Sequence, residues 1–131
     1  MMTPLRILLV EDNPVNQMVA QRMLEKAGHR VVVAENGRQA LNRLSVEPVD
    51  LVLMDLQMPE MDGLEATRTI RSQEAGTNRR LPILAVTADA VGGDRERCLA
   101  AGMDAYLTKP VQSTALLKAI HDVLGTARGM I

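Results

Sequence analysis

Five polar side chains in this chain sit where a strand-like apolar run stops. Leu51-Val52-Leu53-Met54 runs into Asp55, and Leu5 to Val10 runs into Glu11-Asp12. Ile83 to Val86 leads to Thr87, and Ala105 to Thr108 leads to Lys109. If these runs lie side by side, three carboxylates, a hydroxyl and an ammonium share one edge. Two carboxylates about 5 Å apart repel by roughly 3 kcal/mol at an effective dielectric near 20. Three do not stay ionised together without a cation, and one lysine is too little. A hard divalent ion with oxygen ligands meets the need, Mg²⁺ (or Mn²⁺) first, because Mg²⁺ takes few carboxylates and keeps several waters. Bound by Asp12 and Asp55, it would still have positions open to a phosphoryl oxygen. A carboxylate can attack phosphorus and form an acyl phosphate. The ion would then cover one equatorial oxygen, Lys109 a second and the Thr87 hydroxyl a third, so that catalysis is positioning and charge neutralisation.

The elements that must position these groups follow from the pattern. Short apolar runs without alternation read as strands buried on both faces of a parallel sheet. The expected strands are Leu5–Val10, Arg30–Ala34, Leu51–Asp55, Ile83–Thr87 and Ala105–Thr108. Asn13 and Pro14 open a helix whose apolar positions Val15, Met18, Val19, Met23 and Leu24 recur at helical spacing, and Gly28 closes it. Asn36-Gly37 starts a second helix with Ala40, Leu41 and Leu44 inward, ended by Pro48. Asp62-Gly63 opens a third, over Leu64, Thr67 and Ile70 to Arg71. Ser72 to Arg80 is the longest expected loop. Gly92-Gly93 precedes a fourth helix through Ala101, and Ser113 caps a fifth, with a tail from Gly125 to Ile131. Strands alternating with helices give an α/β fold, a parallel sheet with right-handed crossovers and helices on both faces. In such sheets ligands bind at the carboxyl ends of the strands, where strand order reverses.

Composition narrows the classes of function. At 131 residues the chain is one domain, with a core over about 5–125 and a tail at 126–131. Net charge is −1, so no basic surplus argues for nucleic acid or an anionic membrane. No apolar run reaches the ~20 residues that span a bilayer, and no signal peptide opens the chain. Cys98 is the single cysteine, which excludes an internal disulfide and fits a cytoplasmic setting. With no Trp, no Phe and one Tyr, the core is aliphatic and Met-filled.

The residues at the strand ends carry a family resemblance. Glu11-Asp12-Asn13-Pro14, Met54-Asp55-Leu56-Gln57-Met58-Pro59-Glu60-Met61-Asp62-Gly63, Ala85-Val86-Thr87-Ala88 and Tyr106-Leu107-Thr108-Lys109-Pro110 resemble the receiver domain of two-component response regulators. The resemblance spans about residues 5 to 125. It implies a flavodoxin-like (βα)5 three-layer sandwich with strand order 2-1-3-4-5. It makes Asp55 the acceptor of a phosphoryl group from a kinase phosphohistidine. It gives Mg²⁺ to Glu11, Asp12, Asp55 and the backbone carbonyl of Gln57. It makes Thr87 and Tyr106 a switch pair and Lys109-Pro110 a cis peptide. Tyr106 also fits the switch by elimination: if Thr87 moves toward a phosphoryl group, the only aromatic ring is the one able to fill the space. The outward face of helix four, strand five and helix five would report the change and could carry a weak homodimer, with Gly92-Gly93 loosening helix four.

Further details, Val15-Asn16 after the first acids and Cys98-Leu99-Ala100-Ala101-Gly102-Met103-Asp104, are similar to receivers attached to hybrid sensor histidine kinases. In those the phosphoryl group passes to a histidine phosphotransfer bundle. A sensor histidine kinase or a histidine phosphotransfer domain is thus the expected partner, and the stretch is expected to belong to a longer hybrid kinase at the cytoplasmic face of the inner membrane.

Two rivals are weaker. An aspartyl-phosphate phosphatase needs a second acid to protonate the leaving group, and Gln57, two residues past Asp55, cannot serve. A flavodoxin-like cofactor binder would need a phosphate loop after strand one and aromatics to stack on a flavin. Other residues have plain readings: Cys98 as packing, His29 and His121 as structural or solvated, Met58 and Met61 as core filler, Asp62 as a helix cap. Gln57 and Asp89 are expected to tune hydrolysis. Asn16, Gln17, Gln21 and Arg22 form an ordinary polar helix face with a lesser claim to docking.

Overall fold

A computed structural model describes residues 4–56, 63–77, 80–87, 94–109 and 111–128. The strands are β1 (Arg6–Val10), β2 (Arg30–Ala34), β3 (Leu51–Asp55), β4 (Ile83–Thr87) and β5 (Ala105–Thr108). The helices are α1 (Pro14–Lys26), α2 (Gly37–Val46), α3 (Gly63–Glu74), α4 (Asp94–Ala101) and α5 (Ser113–Arg128). All neighbouring strands are parallel, in the order β2-β1-β3-β4-β5. The chain moves outward from β1 to β2 and then returns past β1 to β3, so order reverses between β1 and β3. That reversal opens the crevice where Glu11 and Asp55 end their strands.

The alternation of side chains along each strand divides the core in two. Leu8, Val10, Val52, Met54, Ile83 and Ala85 pack with Ala40 of α2, Ile70 of α3 and Cys98 of α4. Ile7, Leu9, Leu51, Leu53, Leu84 and Val86 pack with Leu24 of α1 and with Leu116 and Ile120 of α5. The sheet is therefore a middle layer, with α1 and α5 on one face and α2, α3 and α4 on the other. β3 and β4 are buried throughout, and the edge strands β2 and β5 are half-exposed.

Helix ends match the sequence signals. The Asn13 side chain accepts the N–H groups of Val15 and Asn16 at 2.9 and 3.1 Å, which caps α1. Asn36 does the same for α2 through Gln39 at 2.8 Å, and the Gln39 side chain accepts the Glu35 N–H at 2.9 Å. The polar groups after β2 are thus spent on a helix cap. At Gly28, with φ +95°, α1 ends in a left-handed turn in which His29 N–H reaches Leu24 C=O and Gly28 N–H reaches Glu25 C=O.

Three expectations are corrected. Val15, Met18 and Val19, read as part of the inward stripe of α1, are 62%, 45% and 45% exposed. Only Leu24, Met23 and Ala20 of that helix meet the core, because α1 overhangs the sheet edge at its first turns. Helix α3 runs three residues past Arg71, and the polar segment after it is tied down. Arg71 donates to Gly102 C=O at 2.9 Å, Leu81 C=O at 2.8 Å, Glu74 at 2.8 Å and Asp104 at 2.8 Å. Asp104 also accepts the Ile83 N–H that starts β4, at 2.8 Å. A side chain at Gly102, where φ is +106°, would meet Arg71 Cγ at 2.8 Å, so this glycine supplies both the turn and the berth. Finally, α5 continues through Gly125 to Arg128, where a tail was expected.

His29 is 4% exposed; its Nδ1 accepts the Leu5 N–H at 3.1 Å, and its Nε2 has no partner among the described residues. Burial lowers its pKa from 6.5.

Two outcomes follow. Arg71→Ala leaves the Glu74 and Asp104 carboxylates short of a cation in a half-buried network, and urea unfolding should show a loss of about 3 kcal/mol. His29 is held neutral in the fold, so the unfolded chain binds the extra proton as pH falls. Stability is therefore complete above 6.5 and lost below it. Between pH 7 and 5.5 the wild type should lose about 1 kcal/mol more than His29→Asn, whose amide oxygen can still accept from Leu5.

Candidate functional site

Register brings the strand ends together. Val10 pairs with Met54, Asp55 with Val86, and Thr87 with Thr108. The residues that follow or close these pairs, Glu11, Asp55, Thr87 and Lys109, therefore lie on one edge. Lys109 N–H donates to Thr87 C=O at 2.7 Å and Glu11 N–H to Ala34 C=O at 3.0 Å, which fixes both strand exits.

Side-chain alternation then sorts the five groups by face. Glu11 follows Ile7 and Leu9, Asp55 follows Leu51 and Leu53, and Lys109 follows Ala105 and Leu107. All three continue the face covered by α1 and α5. Thr87 follows Ile83 and Ala85 onto the opposite face, the one on which Tyr106 packs. Thr87 and Tyr106 thus share a sheet face on adjacent strands, a placement the strand pattern alone requires.

Carboxylate oxygens of Glu11, Asp12 and Asp55 lie within 4.8 Å of one another. Glu11 and Asp55 are buried, and Asp12 is exposed. Lys109 Nζ stands between the buried pair, 2.9 Å from Asp55 Oδ2 and 3.1 Å from Glu11 Oε1. The lysine expected to one side is therefore central. Burial alone would lower its pKa, but the hydrogen bonds to Asp55 and Glu11 outweigh that and raise it above 10.5. Glu11 is pushed up to about 7, first by burial and then by the adjacent Asp55 carboxyl, against the Asn13 N–H and Lys109, which favour its anion. One ammonium does not neutralise the cluster. That residual negative charge, with its hard oxygen donors, fits a divalent cation.

The acid pair is held from α1 by two contacts. Asn13 N–H donates to Glu11 Oε2 at 3.1 Å, and Gln17 Nε2 donates to the Glu11 C=O at 2.6 Å. Gln17 was read as part of a polar face; its spacing six residues after Glu11, one and a half turns into a capped helix, was the available signal. Beneath the charges, a cavity of about 410 Å³ runs under α1, with Leu9, Val19, Met23, Leu53 and Val86 on its walls and Glu11, Asp55 and Lys109 at its mouth.

The Gln57 carbonyl, Pro110 and its peptide, Met58, Pro59, Met61, Asp62, Asp89 and Gly92-Gly93 lie outside the described residues. Cys98 is buried in the α4 packing and His121 is exposed on α5.

The chain matches the response regulator receiver domain family over residues 7–121. It is 46% identical over 123 residues to the sensor protein GacS of Pseudomonas syringae pv. syringae, which covers 93% of this chain but 14% of GacS. It is 41% identical over 125 residues to hybrid signal transduction histidine kinase I of Dictyostelium discoideum, covering 92% of this chain and 7% of that one. The chain thus spans about a seventh or less of these relatives. Among solved structures, the receiver domain of sensor histidine kinase PA1611 from Pseudomonas aeruginosa PAO1, with magnesium coordinated in its active-site cleft, has a TM-score of 0.84 at 47% identity, covering 94% of this chain and 99% of that one. The receiver domain of Saccharomyces cerevisiae Ssk1, crystallised with the histidine phosphotransfer protein Ypd1, has a TM-score of 0.83 at 35% identity, covering 92% and 88%. The order of the strands, the acids at the β1–β3 reversal and these likenesses agree: the chain belongs to the response regulator receiver domain family.

Proposed function

We propose that this receiver takes a phosphoryl group onto Asp55 from a phosphohistidine, and that it serves within a hybrid sensor kinase phosphorelay in the cytoplasm. The observation that carries the reading is the pair of contacts from Lys109 Nζ to Asp55 at 2.9 Å and Glu11 at 3.1 Å, at the mouth of a crevice. An Asp55 carboxylate oxygen attacks phosphorus, the P–N bond breaks, and the imidazole leaves and takes up a proton. The product is an acyl phosphate. Lys109, released from Asp55, offsets charge on a phosphoryl oxygen. The Thr87 hydroxyl, at the end of the neighbouring strand, is the group to hold another.

Glu11, Asp12 and Asp55 are the side chains that would hold Mg²⁺ (or Mn²⁺), with the Gln57 carbonyl as a fourth ligand. When bound, the ion supplies neutralising charge beside the phosphoryl group. The Thr87–Tyr106 pair is the switch, read out across α4, β5 and α5, where Leu99 is half-exposed and a weak homodimer would form. Residues 5–125 form the working unit, and the peptide before Pro110 is cis in this reading.

The exposed Val15, Met18 and Val19 supply the partner surface. They stand on the first turns of α1, directly above the acids, and Val19 continues into the wall of the cavity. An apolar stripe beside an acceptor carboxylate suits a helical bundle that presents its phosphohistidine there. A sensor kinase's own histidine domain is the alternative donor of the same chemistry.

Acetyl phosphate with Mg²⁺ should label the wild type and leave Asp55→Asn unlabelled, as read by Phos-tag gel or intact mass; label retained in the variant would end the reading. Val15→Ser with Met18→Gln should keep acetyl phosphate labelling within twofold. The same pair should slow transfer from a phosphorylated histidine phosphotransfer domain about tenfold or more in a rapid-quench assay.

A further inference from the structure

We propose that Gly63 is a positioning residue for Asp55: the missing side chain at the start of α3 is what allows the strand-end backbone, and with it the carboxylate, to sit where it does. The inference rests on the phosphoacceptor reading of Asp55.

After β3 the chain returns on itself, and Gly63 N–H donates to Leu56 C=O at 3.1 Å. A Cβ at Gly63 would overlap the Asp55 carbonyl oxygen and lie 3.1 Å from the carbonyl carbon and 3.0 Å from Met54 Cγ. The methionine can swing aside. The peptide cannot move so cheaply. Asp55 is in register with Val86, and the next N–H, of Leu56, donates to Val86 C=O at 3.2 Å. On the other side, Thr67 Oγ1 is buried and donates to Gly63 C=O at 2.7 Å, which pins the first turn of α3. Strand end and helix start are both held, so any side chain at 63 must displace one of them.

Backbone conformation does not explain the glycine. The glycines at positive φ among the described residues are Gly28, Gly76 and Gly102, and at the first two an added Cβ meets nothing within 4 Å. Gly63 is the reverse case, a residue required for space. In-line phosphoryl transfer is sensitive to displacements below 1 Å. An ion that keeps several of its waters adjusts to such a shift. The rate of phosphorylation should therefore suffer more than the affinity for Mg²⁺.

The test compares Gly63→Ala with Ile120→Val, a modest destabilisation in the α5 packing far from the acids. Circular dichroism, Mg²⁺ titration and phosphorylation by acetyl phosphate at saturating Mg²⁺ are measured for each. Gly63→Ala is expected to fold, to keep its Mg²⁺ dissociation constant within threefold, and to lose at least tenfold in phosphorylation rate, while Ile120→Val stays within twofold of wild type. A wild-type rate in Gly63→Ala, an unfolded chain, a loss of Mg²⁺ affinity as large as the loss of rate, or an equal loss in Ile120→Val overturns the proposal. Failure of the underlying reading shows separately, as label that survives Asp55→Asn.

Discussion

Everything at the working edge answers one electrostatic constraint. Three carboxylates converge within 4.8 Å, and the protein supplies a single ammonium to meet them. In water such a group of charges would spread apart. Here the register of β1 against β3 and of β3 against β4 does not let it, because each acid ends a strand whose neighbours are hydrogen-bonded into place. The cost is visible in Glu11, driven toward neutrality by burial and by Asp55. The aliphatic core on both faces of the sheet supplies the rigidity that keeps the repulsion unrelieved.

That arrangement was legible from residue types because each group lies at a break in pattern. Asp55, Glu11-Asp12, Thr87 and Lys109 each interrupt an apolar run, and in a parallel sheet all such breaks fall on one edge. The helix caps at Asn13 and Asn36 were equally plain, since their chemistry is local. The exposure of Val15, Met18 and Val19 was not. Helical spacing shows which residues share a face, but not how far the helix extends beyond the sheet it covers. The central place of Lys109 and the Gln17 contact depend on distances between elements that the order of residues does not encode. Arg71 was hidden for another reason. Its partners lie at 81, 102 and 104, and a charged residue at a helix end reads as solvated until its partners are folded against it.

The Arg71 cluster also explains why a fold with a short, weakly apolar α4 keeps that helix in place. The turn after α4 is gripped through Gly102 C=O and Asp104, and Asp104 in turn accepts the first N–H of β4. Anchorage is at the carboxyl end of α4, away from the strand tips. The polar staple and the acid cluster therefore lie at different ends of the α/β layer, and each can be altered without entering the other.

The sorting of side chains by sheet face has a consequence for traffic. The acids and Lys109 belong to the α1 and α5 side, while Thr87 and Tyr106 belong to the side of α2, α3 and α4. The sheet separates the two like a partition. A molecule resting on the overhanging turns of α1 and another resting near Tyr106 occupy different surfaces and do not compete for room. A domain built this way can be loaded from one side while a second protein still holds the other, so delivery and response need not take turns.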